Sequence, residues 1–205
     1  MSLPRIDLGY KNFINAESIF AIINIKSRPS ERLLSIGKSH NKMIDVTNGK
    51  AAKCFVIADN WDMYKISKNP RTVRVAYYEN IVELNKKDTF RLIEPMIELG
   101  FDNYVMPSKI DSVLSVEMRT IKKILQEKKD NNLFIDCTHG KKTRSIILLK
   151  NSYIIMSAVE SVAIEKRRSR NINMMICAKN NLAINDEELT DYELDSPLGN
   201  NNVVD

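Results

Sequence analysis

The sequence predicts an α+β protein built from two tandem copies of one small β-rich domain, each with one central helix. Three observations predict it. Residues 8–57 overlay residues 99–148 without a gap, at an offset of 91, and share 13 identical positions in 50. A strand, a polar turn with glycine and lysine, and a second β-branched strand occur at Met43–Ile57 and again at Phe134–Leu148. The intervening stretches carry helical rather than alternating apolar spacing. Self-similarity of this length decides the domain organisation before local propensity does.

Along the first copy, Leu3–Leu8 reads as a strand, turned by Gly9, and the apolar run Ile19–Ile25 as a further strand. Ser27-Arg28-Pro29-Ser30-Glu31 is a helix start, with polar caps, proline in the first turn and an acid at the positive end of the dipole. Leu33, Leu34 and Ile36 supply its apolar face, and Gly37 with His40-Asn41 ends it before a strand at Met43. Lys53–Ala58 and Met63–Ser67 form a closing hairpin around Asp59-Asn60-Trp61-Asp62. Trp61, the single tryptophan, is read as covering one domain end. Residues 70–90 lie outside the overlay and read as an ordered linker, with Pro70, Tyr77-Tyr78 and Lys86-Lys87-Asp88 in place of Gly/Ser flexibility.

Arg91–Leu99 restates the opening strand. In the second copy Ile121, Ile124 and Leu125 make an i, i+3, i+4 stripe that predicts the central helix, with Lys122, Lys123, Lys128 and Lys129 off it. After the second hairpin, Val159–Arg168 reads as an amphipathic helix and Ile172–Cys177 as a last strand. The expected boundaries are therefore 1–69 for repeat 1, 70–90 for the linker, 91–170 for repeat 2, and 171–205 for an extension ending in an acidic, disordered tail.

Charge divides the chain in the same way. Residues 1–70 hold 11 Lys/Arg against 6 Asp/Glu and residues 99–170 hold 14 against 8, while residues 171–205 hold 1 against 7. A basic body is the electrostatic footprint of a nucleic-acid binder. Other classes are poorly served. No apolar run approaches the ~20 residues that cross a bilayer, and Met1-Ser2-Leu3-Pro4-Arg5 lacks the apolar segment of a signal peptide, so a cytoplasmic location is expected. Cys54, Cys137 and Cys177 share no metal-ligand spacing and read as reduced thiols, and His40 and His139 are unpaired, so neither a metal nor another cofactor is called for.

The turns carry the candidate chemistry. Asp45 and Asp136 open Asp-x-Thr-x-Gly in both copies. With no second carboxylate or histidine at fixed spacing, their expected work is to accept backbone N–H bonds while glycine supplies positive φ. A phosphohydrolase using Asp45 or Asp136 is the weaker alternative. Exposed cations clustered on a tight turn gain little from folding, and phosphate neutralisation is a reason for their clustering.

Leu8-Gly9-Tyr10-x-Asn12 and Leu99-Gly100-Phe101-x-Asn103, followed by Ile-Asp-x-Thr-x-Gly-basic in each copy, resemble the RemA family of small bacterial regulators of extracellular-matrix genes. Lys141-Lys142-Thr143-Arg144, Ile155–Val159 and Val162-Ala163 strengthen the likeness in repeat 2. The resemblance spans roughly residues 3–69 and 91–168. It implies a non-enzymatic regulator of transcription or DNA architecture that binds double-stranded DNA, forms ring-like homo-oligomers and associates with the nucleoid. No membrane or small-molecule ligand is implied.

Carried over by position, the family's DNA-contacting cations fall on Lys141, Lys142 and Arg144 of repeat 2, and on Lys50, Ala51 and Lys53 of repeat 1. A further arginine falls on Lys109 and Ser18. Repeat 1 thus departs at two of four positions, and repeat 2 is expected to dominate binding. A ring-forming scaffold whose basic turns meet acidic protein partners is the alternative from a different class.

Overall fold

The structure, a computed structural model, describes residues 4–25, 41–87, 95–131, 133–150 and 153–179, with side chains described except at 81–87 and 172–179. Repeat 1 contains β1 (Arg5–Gly9), β2 (Asn12–Asn15), β3 (Ile19–Asn24), β4 (Met43–Asp45), β5 (Cys54–Ala58), β6 (Met63–Ile66) and a helix α1 (Pro70–Lys87). Repeat 2 contains β7 (Ile97–Gly100), β8 (Asn103–Val105), β9 (Ile110–Ser115), α2 (Arg119–Asp130), β10 (Phe134–Asp136), β11 (Ser145–Leu149), β12 (Ile154–Ser157) and α3 (Ser161–Lys179). The α+β class holds, and strand register repeats at the offset of 91. Met43 pairs with Met63 as Phe134 does with Ile154, and Ile22 pairs with Val56 as Val113 does with Ile147.

Each repeat opens with a hairpin whose central residues are both left-handed: Tyr10 and Lys11 at φ 52° and 62°, Phe101 and Asp102 at 55° and 58°. Such a turn matches the twist of the flanking strands. Gly100 precedes the second at φ 93°, and a Cβ there would lie 2.9 Å from Val159 Cγ2, so glycine is required by conformation and by space.

Two segments differ from the sequence reading. Pro70–Lys87, read as a linker, is an 18-residue helix, with Pro70 in its first turn and Val73 and Tyr77 buried one turn apart against Ile6, Leu8 and Ile14. Residues 172–177, read as a strand, continue α3, because Ile164 and Asn171 seat that helix on repeat 2. The Asn171 side chain donates to the Pro95 carbonyl at 3.0 Å. Each repeat therefore closes with a helix in addition to any central one. The helix read from Ser27, His40 and the acidic tail lie outside the described residues.

In repeat 2, α2 lays Ile121, Ile124 and Leu125 over Phe134, Ile146, Ile154 and Met156 on one sheet face. The other face, with Ile135, Ile147 and Ile155, buries Ile97 and Leu99 of the hairpin and Ile164 of α3. Each of these side chains that is fully removed from water contributes about 1.5–3 kcal/mol, and the partly buried Ile121, Ile124 and Leu125 less. Cys54 and Cys137 are free and buried, and burial pushes both thiols up.

The repeats are joined by a sheet. Hairpin β7–β8 adds to the edge of β3, with Ala21 opposite Val105 and Ile22 opposite Tyr104, giving a six-stranded order β4-β6-β5-β3-β8-β7. Repeat 2 forms its own four-stranded sheet, β10-β12-β11-β9, and β1–β2 stands as a two-stranded sheet. All six residues of β3 are buried, whereas only Ile110 of β9 is. Trp61 sits at this junction, not at a free domain end, with its ring 5.4 Å from Phe20 and 4.2 Å from Tyr153 of repeat 2.

Candidate nucleic-acid interface

The two Asp-x-Thr-x-Gly turns are built alike. Asp136 Oδ1 accepts from the Thr138 amide at 2.8 Å and from its hydroxyl at 2.7 Å; Asp45 Oδ1 accepts from the Thr47 amide at 2.9 Å and its hydroxyl at 2.6 Å. His139-Gly140 and Asn48-Gly49 are both left-handed, and the next amide closes each turn, Lys141 to the Thr138 carbonyl and Lys50 to that of Thr47. The sequence reading of these aspartates as turn-formers is what the geometry shows. The Lys65 ammonium, 2.8 Å away, and the Thr47 donors hold the Asp45 carboxyl at about 2. Among the described residues no three His, Cys, Asp or Glu side chains group to hold a metal ion.

A turn closed in this way throws its next side chains outward. Lys141, Lys142 and Arg144 are exposed at the tip of repeat 2, and Lys50 and Lys53 at that of repeat 1. Aromatic residues from the hairpin tips lie under the first lysine of each. Lys141 Nζ is 5.0 Å from the Phe101 ring centroid, which also stacks on His139 at 4.9 Å and 21°, and Lys50 Nζ is 5.4 Å from Tyr10. Cation–π contacts at exposed sites are worth about 0.5–1 kcal/mol, enough to orient an ammonium without removing it from water. The Lys50 ammonium also draws the Tyr10 phenol below its ordinary value. Burial lowers the His139 imidazole, which favours its neutral form at the tip. Arg144 pairs with Glu160 at 2.7 Å, but both side chains are exposed and such pairs are weak.

The tips share one edge of the molecule. The Lys53 carbonyl accepts from the Ile25 amide, adjacent Asn24 binds Asn103 and the Phe101 carbonyl, and the Phe101 ring meets His139 and Lys141. Lys50, Lys53, Lys141, Lys142 and Arg144 are thus brought together by the hairpin of repeat 2.

Lys109 is not among them. It precedes β9 beside Leu149, the end of β11 away from the tip, about 13 Å along a five-residue strand at ~3.3 Å per residue. There it is half-buried and bridges to Asp59 of repeat 1 at 2.8 Å. The sequence reading expected a DNA contact at Lys109, and the structure shows its ammonium in an ion pair at the junction. It also missed the aromatic supports Tyr10 and Phe101, whose signal was the Leu-Gly-aromatic-x-Asn pattern in both copies.

Fold and site define a class: a tandem α+β protein whose paired repeats set basic turn tips along one edge. Residues 6–75 and 96–167 match the family model RemA-like, described as extracellular matrix regulatory protein A-like, and the chain belongs to that family.

Individual relatives are shorter. A protein of Halalkalibacterium halodurans, named as a candidate regulatory protein, is 39% identical over 72 residues, covering 35% of this chain and 83% of the relative. Similarly named proteins of Heliobacterium modesticaldum and Clostridium beijerinckii are 38% identical over 74 residues and 33% over 81, covering 81% and 90% of those relatives and 36% and 40% of this chain. One relative corresponds in length to one repeat here. Among the described residues no helix is long and apolar enough to cross a membrane.

Proposed function

We propose that this chain is a DNA-binding regulatory protein that acts without catalysis, holding duplex DNA against the edge that carries Lys50, Lys53, Lys141, Lys142 and Arg144. The observation that carries the reading is the placement of two outward basic turns, one from the sheet of each repeat, on the side where hairpin β7–β8 joins repeat 2 to β3. Each cation that neutralises a phosphate releases a condensed counterion, which gives affinity largely independent of base sequence. The names of the single-repeat relatives support the regulatory role. A cytoplasmic, nucleoid-associated location follows from the same reading.

Assembly belongs to it as well. Strand β9 stands where β3 stands in repeat 1, with one edge unpaired among the described residues, and β1–β2 stands where β7–β8 stands, paired with no third strand. Copies of the chain join head to tail through these two surfaces, into a ring where the rotation closes.

Binding to unrelated duplexes across a salt series tests the function. Replacing Lys142 and Arg144 with alanine should flatten log affinity against log salt by about 0.9 for each phosphate no longer neutralised. A wild-type chain that fails to bind duplex DNA at about 50 mM salt would overturn the reading.

A further inference from the structure

The junction within the chain is a complete template for a contact between chains, and residues at matching positions differ in a telling way. Tyr104 of β8, 1% exposed, lies against Ile22 and under Arg74 of α1, whose guanidinium is 4.9 Å from the Tyr104 ring and 5.1 Å from that of Tyr78. One turn earlier, Arg71 Nε donates to Asp102 at the hairpin tip at 2.6 Å. A cationic helix thus grips an anionic hairpin. Asn103 completes the join by accepting from the Asn24 amide at 2.9 Å.

Shifted by 91 residues, each part recurs without its partner. Phe13 holds the place of Tyr104 and is 58% exposed. Asn12 holds that of Asn103; its amide donates to the Gly9 and Tyr10 carbonyls as Asn103 does to Gly100 and Phe101, and its Oδ1 has no partner among the described residues. On the receiving side, a cavity of about 520 Å³ lies between β9 and α3, lined by Val113, Val162, Glu165, Lys166, Ser169 and Arg170 among others. Val113, Val162 and Glu165 stand at the places of Ile22, Arg71 and Arg74. Two of the charges are exchanged: the free hairpin carries Lys11 where the bound one carries Asp102, and the free helix carries Glu165 where the occupied one carries Arg74, while Val162 replaces Arg71, the partner of Asp102, and Lys166 and Arg170 line the rest of the cavity.

Resting on the head-to-tail reading above, we infer that the cavity between β9 and α3 receives Phe13 from the first hairpin of a second copy, with Lys11 beside Glu165, and that the exchanged charges make the two junctions non-interchangeable. In this contact Phe13 lies opposite Val113 and covers Val162, itself 63% exposed. Asn12 Oδ1 takes the Ser115 amide, the counterpart of Asn24. Glu165, which lies 3.4 Å from Arg168 in the single chain, turns to the incoming lysine. Against α1 the first hairpin would instead set Lys11 against Arg71 and Arg74, a like-charge contact that rejects wrong pairing. Repeats 1 and 2 therefore alternate strictly through the assembly.

Native mass measurement of the full chain and its variants tests this. Wild type is expected at multiples of 23.5 kDa, and Phe13→Asp at single-chain mass with unchanged circular dichroism, because that side chain is exposed in the single chain. Lys11→Asp turns a second carboxylate towards Glu165 and should weaken association at least about tenfold; adding Glu165→Arg should restore it, and Glu165→Arg alone should weaken it. An assembled wild type with Phe13→Asp equally assembled, or with no rescue in the double variant, overturns this inference and leaves assembly standing. A wild type that stays at single-chain mass overturns both.

Discussion

Asn103 Oδ1 accepts a hydrogen bond from the backbone amide of Asn24 at 2.9 Å, and this side chain, wholly buried, ties the second repeat to the first. Its Nδ2 meanwhile donates to the Gly100 carbonyl at 2.8 Å, so one residue shapes its own hairpin and fastens it to a neighbour. In Asn103→Ala the Asn24 amide and the Gly100 carbonyl are left without this partner. The expected cost is about 1–3 kcal/mol, read as a lower urea midpoint. An unchanged midpoint would show that solvent reaches these groups.

The two ends of the repeat 2 sheet make opposite demands on their lysines. Lys109→Ala should leave the salt dependence of DNA binding unchanged, because that ammonium lies beside Asp59 at the junction, at the end of β11 away from the tip. The double change of Lys50 and Lys53 to alanine should flatten the dependence, though less than the change of Lys142 and Arg144. A flattening with Lys109→Ala equal to that of the tip variants would place the interface elsewhere.

Asp45 makes the repeat 1 turn sensitive to acid. Its folded value, about 2, lies below the ordinary carboxylate value of 3.8, so its stabilising contribution is present above pH ~4 and is lost as pH falls through about 2. Half of the side chain is exposed, and solvent screening keeps the contribution under about 1 kcal/mol. The stability difference between wild type and Asp45→Asn, measured by denaturant titration, should shrink steadily from about pH 5 to about pH 2. A difference that is constant with pH would mean that the Lys65 pair contributes nothing.

Much of this architecture was legible in the sequence because the two copies vary in side chain yet keep their spacing. The identities at Gly9/Gly100, Asn12/Asn103, Asp45/Asp136 and Gly49/Gly140 fall on positions where backbone conformation or a turn hydrogen bond admits few residues. The closing helix of repeat 1 was hidden because Val73, Val75, Tyr77 and Tyr78 favour strands intrinsically, while burial of Val73 and Tyr77 against β1 decides the matter. The role of Lys109 was illegible for another reason. Its partner Asp59 lies 50 residues away, in a turn with Lys150 at the matching position in the other copy, so neither spacing nor self-comparison reveals the pair.

The capture of β8 by β3 has a consequence for concentration. Because both strands belong to one chain, that junction forms at an effective concentration set by the tether, in the millimolar range for short connections, and is indifferent to how much protein surrounds it. In the head-to-tail assembly proposed above, what β9 captures is a second copy and answers to supply. Dilution can therefore part such an assembly only at β9, and every fragment it releases is an intact pair of repeats with both basic tips still on one edge.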